Sequence, residues 1–216
     1  MRFKKFFIVA LAGAAGLALA AGSVLAAKES KPAQGAGQPE MQLPPGWTEE
    51  DMQAVMLAGT PGDMQARLAK DVGTWRGKMT MWMIPGAEPV VTDCSSTITS
   101  IMDGRYTRIE TASEMPGMGP FTGLGVNGFD NVSQKFVSTW IDNHSTGILT
   151  GEGKLSGDGK AIEWEFSYNC PLTKKPSAMR QIETIGEQGT KTLDMFGADP
   201  KSGKEFHMMH LELSRQ

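Results

Sequence analysis

Asp71-Val72-Gly73-Thr74-Trp75 is the stretch at which the chain changes its period. Upstream of it, Met64 and Leu68 recur at helical spacing. Downstream, apolar residues alternate every second position: Trp75, Met79, Met81 and Met83 share one parity, and Arg76, Lys78 and Thr80 the other. Here a helical segment hands over to a first β-strand through a glycine.

Working outward toward the C-terminus, ten candidate strands follow, at about 75–84, 89–101, 104–115, 120–129, 134–142, 145–155, 160–170, 177–187, 190–197 and 204–215. Turn chemistry separates them: Pro85-Gly86, Asp103-Gly104, Pro116-Gly117, Asp130-Asn131, Gly157-Asp158-Gly159 and Ser202-Gly203. No long helical pattern interrupts the run, which excludes a parallel βαβ sheet. A meander this long curls, and closure removes its unpaired edges, so an up-and-down barrel is expected, with a sandwich as the alternative.

Working outward toward the N-terminus, Thr48-Glu49-Glu50-Asp51 reads as an N-cap with an acidic first turn, and Gly59 as the end of that helix. Thr60-Pro61 reads as the cap and first-turn proline of a second helix. Residues 47–70 therefore form short lid or plug helices, and residues 27–46, rich in Lys, Glu, Pro, Gln and Gly, a disordered tether. Met1-Arg2-Phe3-Lys4-Lys5 is a basic n-region, Phe6 to Ala21 an apolar run, and Ser23-Val24-Leu25-Ala26 a cleavage site. Residues 1–26 thus read as a signal peptide, removed after Ala26, rather than a retained anchor. The expected location is periplasmic or secreted, with no stable membrane insertion after cleavage.

A net charge of −3 shows no basic footprint, which excludes nucleic acid as a partner. Only Cys94 and Cys170 are present, so there is no disulfide framework and no metal-type cysteine spacing. A bridge between them and two separately buried thiols both stay open.

Helical turn, Gly73-Thr74-Trp75, then a meander ending in Leu211-Glu212-Leu213-Ser214-Arg215 resembles the calycin superfamily of lipocalins, fatty-acid-binding proteins and nitrobindin-type barrels. More closely, the chain is similar to an uncharacterised family of bacterial secreted proteins, a domain of unknown function within that superfamily. The segments that carry this likeness are Val72 to Trp75, Pro85 to Pro89, Gly128 to Asn131, Trp140 to Asp142 with Ser145 to Ile148, and Gly203 to Phe206. The resemblance implies an all-β, ten-stranded calycin-like barrel over 71–216, closed at one end by Gly73, Trp75 and Arg215. It implies ligand entry at the opposite rim. Nitrobindin-type barrels hold haem through a histidine, and no histidine here aligns with that ligand, so no cofactor carries over.

Parity then selects the interior. Trp75 inward sends Gly77, Met79, Met81 and Met83 inward, and Arg215 inward sends Leu213, Leu211, Met209 and His207 with it. His210 falls outside, so His207 and His210 do not form a metal pair on the strand. Arg180 shares parity with Ala178 and Ile182 and either enters the lumen or leaves that face to Met179 and Ile185. The mouth collects Asn143-His144 and the loops after every odd strand. The expected function is binding of a small, mostly apolar or amphipathic molecule, with Met81, Met83, Trp140, Asp142, His144, Arg180 and His207 as pocket candidates. Asp142, His144 and Ser145 lie within four positions on one hairpin, with no nucleophile elbow and no evident oxyanion loop, and read as turn-capping residues rather than a triad. No catalytic or metal-ligating set is assigned. An enzyme working through His144, His207 and Asp142 at the mouth, and a haem or nitric-oxide-handling barrel, are the alternatives.

Overall fold

The computed structural model describes residues 43–186 and 189–216. The expected signal segment and most of the expected tether lie outside the described residues. Two short helices, α1 (Glu49–Ala58) and α2 (Asp63–Ala69), precede ten strands. These are β1 (Gly73–Met81), β2 (Val90–Ile101), β3 (Tyr106–Met115), β4 (Gly119–Asp130), β5 (Lys135–Asp142), β6 (Leu149–Leu155), β7 (Ala161–Asn169), β8 (Pro176–Ile185), β9 (Thr190–Ala198) and β10 (Glu205–Arg215). Each strand pairs antiparallel with its sequence neighbour, and β1 pairs with β10 to close the barrel. The fold is the expected up-and-down barrel, not a sandwich.

The floor is built from the stretch at which the period changes. Trp75 is wholly buried, and its indole Nε1 donates to the Asp71 carbonyl at 2.8 Å. Arg215 is its direct partner across β1 and β10, with the guanidinium carbon 4.3 Å from the indole centroid. The same guanidinium donates to the carbonyls of Val72 and Lys70, so it ties the end of the last strand to the entry of the first. Gly73 sits at φ +146, and a Cβ there would lie 2.5 Å from Arg215 Nη1. Only glycine fits both the backbone and the clamp.

α2 covers this floor. Leu68, 3% exposed, packs with Phe136, Ile162 and Trp164, a burial worth about 1.5–3 kcal/mol. Gln65 donates to the Phe129 carbonyl and to Asn131 Oδ1, each at 3.0 Å, and Arg67 donates to the Lys160 carbonyl at 3.0 Å. α1 buries none of its residues and carries the expected Thr48 cap, reciprocated by Asp51. The second helix begins later than Thr60-Pro61 suggests. Thr60 Oγ1 is engaged backward on the Met56 carbonyl at 2.7 Å, and Gly62 becomes the N-cap, donating its N–H to Gln65 Oε1.

Two strands depart from their expected limits. β1 stops at Met81: Trp82 still donates its N–H to the Met208 carbonyl at 2.9 Å, but Met83 and Ile84 lie 64% and 60% exposed in the turn before Pro85. β6 begins at Leu149, which leaves Ser145 to Ile148 in the hairpin connection.

Candidate functional site

The barrel encloses a cavity of about 320 Å³. Its walls are apolar: Met79, Met115, Met179, Met195 and Met209, with Trp140, Trp164, Phe166, Phe121 and several Ile and Leu side chains. Glycines on the inner faces of β4 and β6 make this space. A Cβ on Gly123 would meet Trp140 Cζ2 at 2.0 Å, and one on Gly151 would meet Phe166 Cδ1 at 2.7 Å. The rings of Trp140 and Phe166 therefore lie flat against glycine backbone instead of projecting across the lumen.

Polar groups on the wall are few and paired. Ser96 and Thr111 hydroxyls are 2.7 Å apart, and Ser138 Oγ donates to Asn127 Oδ1 at 2.7 Å. Toward the floor the cavity meets Gln181, Glu183 and Lys191. Lys191, 4% exposed, donates to Asp71 Oδ2 at 2.7 Å and pairs with Glu183 Oε1. Glu183 also accepts from Trp164 Nε1 at 2.9 Å. Burial pushes the Asp71 carboxyl up to about 6; Lys191 opposes the shift and Glu183 adds to it. Burial acts on Glu183 too, but the Lys191 charge and the hydrogen bonds outweigh it and hold that carboxyl below its ordinary range. Lys191 is held above its ordinary value because its two carboxylate neighbours outweigh burial. The opening stretch thus contributes a second element to the floor, the Asp71 side chain, besides Trp75.

The sequence-selected residues divide three ways. Trp140 and Asp142 line the cavity, while Met81, at the far end of β1 from the floor, is buried in the cluster of β1, β2 and β10 side chains and is not among the cavity-lining residues. His144 is at the mouth, edge-on to Phe121 with centroids 5.6 Å apart and Nε2 3.3 Å from the Pro120 carbonyl. Asp142 accepts from Trp140 Nε1 and from the His144 amide, which makes it a turn-holding acid at the rim. Met83, Arg180 and His207 are not in the lumen. Met83 lies beyond the end of β1. Arg180 points outward because Met179 takes the inner face of β8; it pairs with Glu205 at 3.0 Å and lies 4.2 Å over the Phe196 ring.

His207 is outside because of a β-bulge. The register of β10 on β9 runs His207 to Phe196 and then Met209 to Met195, with Met208 unpaired between them. Met209 lines the cavity and Met208 packs against the inner cluster around Met179, so two consecutive methionines face in. The extra residue returns His207 to the outer face, beside His210. The separation of His207 from His210 expected from simple alternation is therefore reversed.

Cys94 and Cys170 are both buried free thiols. β2 and β7 are five strands apart in either direction around the ten-stranded ring, on opposite walls, which is why no bridge joins them. Burial pushes the Cys94 thiol up to about 11, whereas hydrogen bonds from the Thr173 amide and hydroxyl pull Cys170 below its ordinary value.

With this geometry in view, residues 60–215 match the family described as a protein of unknown function, DUF1579. The chain belongs to the DUF1579 family. The matched segment begins just before α2 and takes in the whole barrel, so plug helix, floor and cavity all belong to the DUF1579 unit. No curated protein matches the chain.

The DUF1579 barrel also shows what strand parity overlooks. Glu183 and Lys191 have inward parity with Met179 and with Leu193 and Met195, respectively. Charged residues in a polar-looking stretch read as solvated, and only their spacing from those apolar neighbours marks them as interior.

Proposed function

We propose that this DUF1579 barrel binds one small, mostly apolar or amphipathic molecule in its lumen. The observation that carries this reading is the cavity of about 320 Å³, lined by methionine and aromatic side chains, with Gln181, Glu183 and Lys191 at its floor and Asp142 at its rim. That volume lies at the small end of the range typical of ligand sites. Methionine walls are polarizable and adapt to a flexible guest. A polar end of the ligand would sit toward Gln181, Glu183 and Lys191, with the apolar remainder directed at Trp140 and the mouth. Membership of the calycin superfamily, and export to the periplasm or medium after signal cleavage, belong to the same proposal. They rest on the floor motif and on the leader-like composition of residues 1–26.

The enzymatic and haem readings receive no comparable support. His207 is on the outer wall, away from Asp142 and His144, and among the described residues no imidazole lines the cavity to hold a haem iron.

The test is a titration with medium-chain fatty acids and alcohols, followed by intrinsic tryptophan fluorescence, because Trp140 and Trp164 both border the cavity. Wild-type protein should show saturable binding at one site per chain. Gly123→Val should weaken it at least tenfold by forcing the Trp140 ring off the β4 backbone into the lumen, with circular dichroism unchanged. Equal affinity in the variant, or no saturable signal from the wild type, refutes lumen binding.

A further inference from the structure

A second site lies on the outer wall, independent of the lumen. The bulge at Met208 brings His207 and His210 to the same face of β10, opposite Asp194 on β9. His207 Nε2 and His210 Nδ1 approach the same oxygen, Asp194 Oδ1, at 2.9 and 2.8 Å. The three ligand atoms all lie within 4.8 Å of one another. His207 Nε2 is buried, and its contact with the carboxylate lacks the alignment of a hydrogen bond.

We propose that Asp194, His207 and His210 form a binding site for a divalent transition-metal ion, zinc foremost. Two imidazoles and a carboxylate are a donor set that such ions accept, and three protein donors leave a fourth tetrahedral position open. Metal–ligand bonds of about 2.0–2.2 Å place tetrahedral donors about 3.3 Å apart, so an ion requires Asp194 Oδ1 to move from each imidazole nitrogen by only about half an ångström.

The site is preorganised from outside the donor set. The His207 ring is stacked between Trp82, with centroids 4.6 Å apart, and Phe196, at 4.8 Å. Arg180 covers the far face of Phe196, so a ladder of four side chains runs across β8, β9, β10 and the end of β1. A simple surface histidine–carboxylate pair needs neither this stack nor convergence of two imidazoles on one oxygen. Stacking fixes the plane of His207 before any ion arrives, which reduces the ordering cost of binding. The side chains of the three residues are each about one-third exposed, which leaves a route from solvent.

The experiment uses tag-free, full-length protein stripped with chelator and titrated with zinc chloride against a chromophoric competitor, in parallel with cobalt(II) as a spectroscopic stand-in. Wild-type protein should take up one zinc per chain, show visible cobalt d–d bands and gain thermal stability as zinc is added. His207→Phe keeps an aromatic ring in the stack while removing the donor; with His210→Gln and Asp194→Asn it should weaken zinc binding at least about tenfold, the lower end of what losing even an outer partner costs. Each variant should lose the zinc-dependent rise in melting temperature. Wild-type protein that takes up no zinc at micromolar concentration overturns the site, as do variants that bind as tightly as wild type. A failed fatty-acid titration leaves this site standing, because its residues do not line the lumen.

Discussion

Replacing Lys191 with Met removes the buried cation at the cavity floor while keeping the length and apolar stem of the side chain. In the wild type, Lys191 Nζ is 2.7 Å from Asp71 Oδ2 and also contacts Glu183, with Lys191 and Glu183 only 4% and 5% exposed. Without it, Glu183 keeps the Trp164 indole N–H and, once Asp71 is protonated, the Asp71 hydroxyl as donors. Asp71, freed of the charge that lowers its pKa, takes up a proton. Stranding one partner of a buried pair costs about 3–5 kcal/mol, against at most about 1 kcal/mol for an exposed pair. For a domain of this size each kcal/mol moves the melting temperature by about 2–4 °C, so Lys191→Met should melt roughly 6–20 °C below wild type. Urea unfolding should show a lower midpoint with an unchanged slope. Adding Glu183→Gln should recover most of the loss, since a buried pair replaced by neutral groups is often close to neutral in stability. A Lys191→Met loss under about 1 kcal/mol would mean that this floor is wet and that the buried triad has been misread.

Two further outcomes follow from the same floor. Asp71 has a folded-state pKa of about 6 against an ordinary 3.8, so the stability it contributes is full below the ordinary value and is lost as pH rises through 6. Wild-type stability should lose roughly 1.4 kcal/mol from this group between pH 5 and 7, and Asp71→Asn should remove that slope when urea midpoints are compared across the range. An identical pH profile in the two proteins would contradict the assignment. Arg215→Ala removes the guanidinium over Trp75 and its bonds to the Val72 and Lys70 carbonyls, for an expected loss of about 1–3 kcal/mol. Arg215→Lys should rescue little, because an ammonium cannot fork between two carbonyls. A rescue close to wild type would assign the clamp to charge alone.

The architecture was legible because its signals are periodic and repeated. Trp75 and Arg215 set matching parities at the two ends of the meander, and β1 pairs with β10 through those two residues. Met79 and Met209 follow from that parity, and both border the cavity. A bulge defeats the same reasoning, since one added residue reverses every side chain beyond it. In Phe206-His207-Met208-Met209-His210 the only trace is the adjacent methionine doublet, two apolar residues that both face in. Arg180 was ambiguous for a related reason: Ala178 and Ile182 offer the alternate face of β8 as credible an apolar set as Met179. Strand neighbours resolve it, because Met179 pairs with Phe166 across β7 and β8 on the inner face. Asp194 could not have been joined to His207 and His210 without the register of β9 on β10.

Lumen binding is tested most directly by native mass spectrometry of freshly purified barrel, with and without added medium-chain fatty acid. The account predicts a one-to-one adduct on the wild type, formed during expression or on addition, and its loss in Gly123→Val. A single unliganded mass for the wild type under both conditions would contradict it.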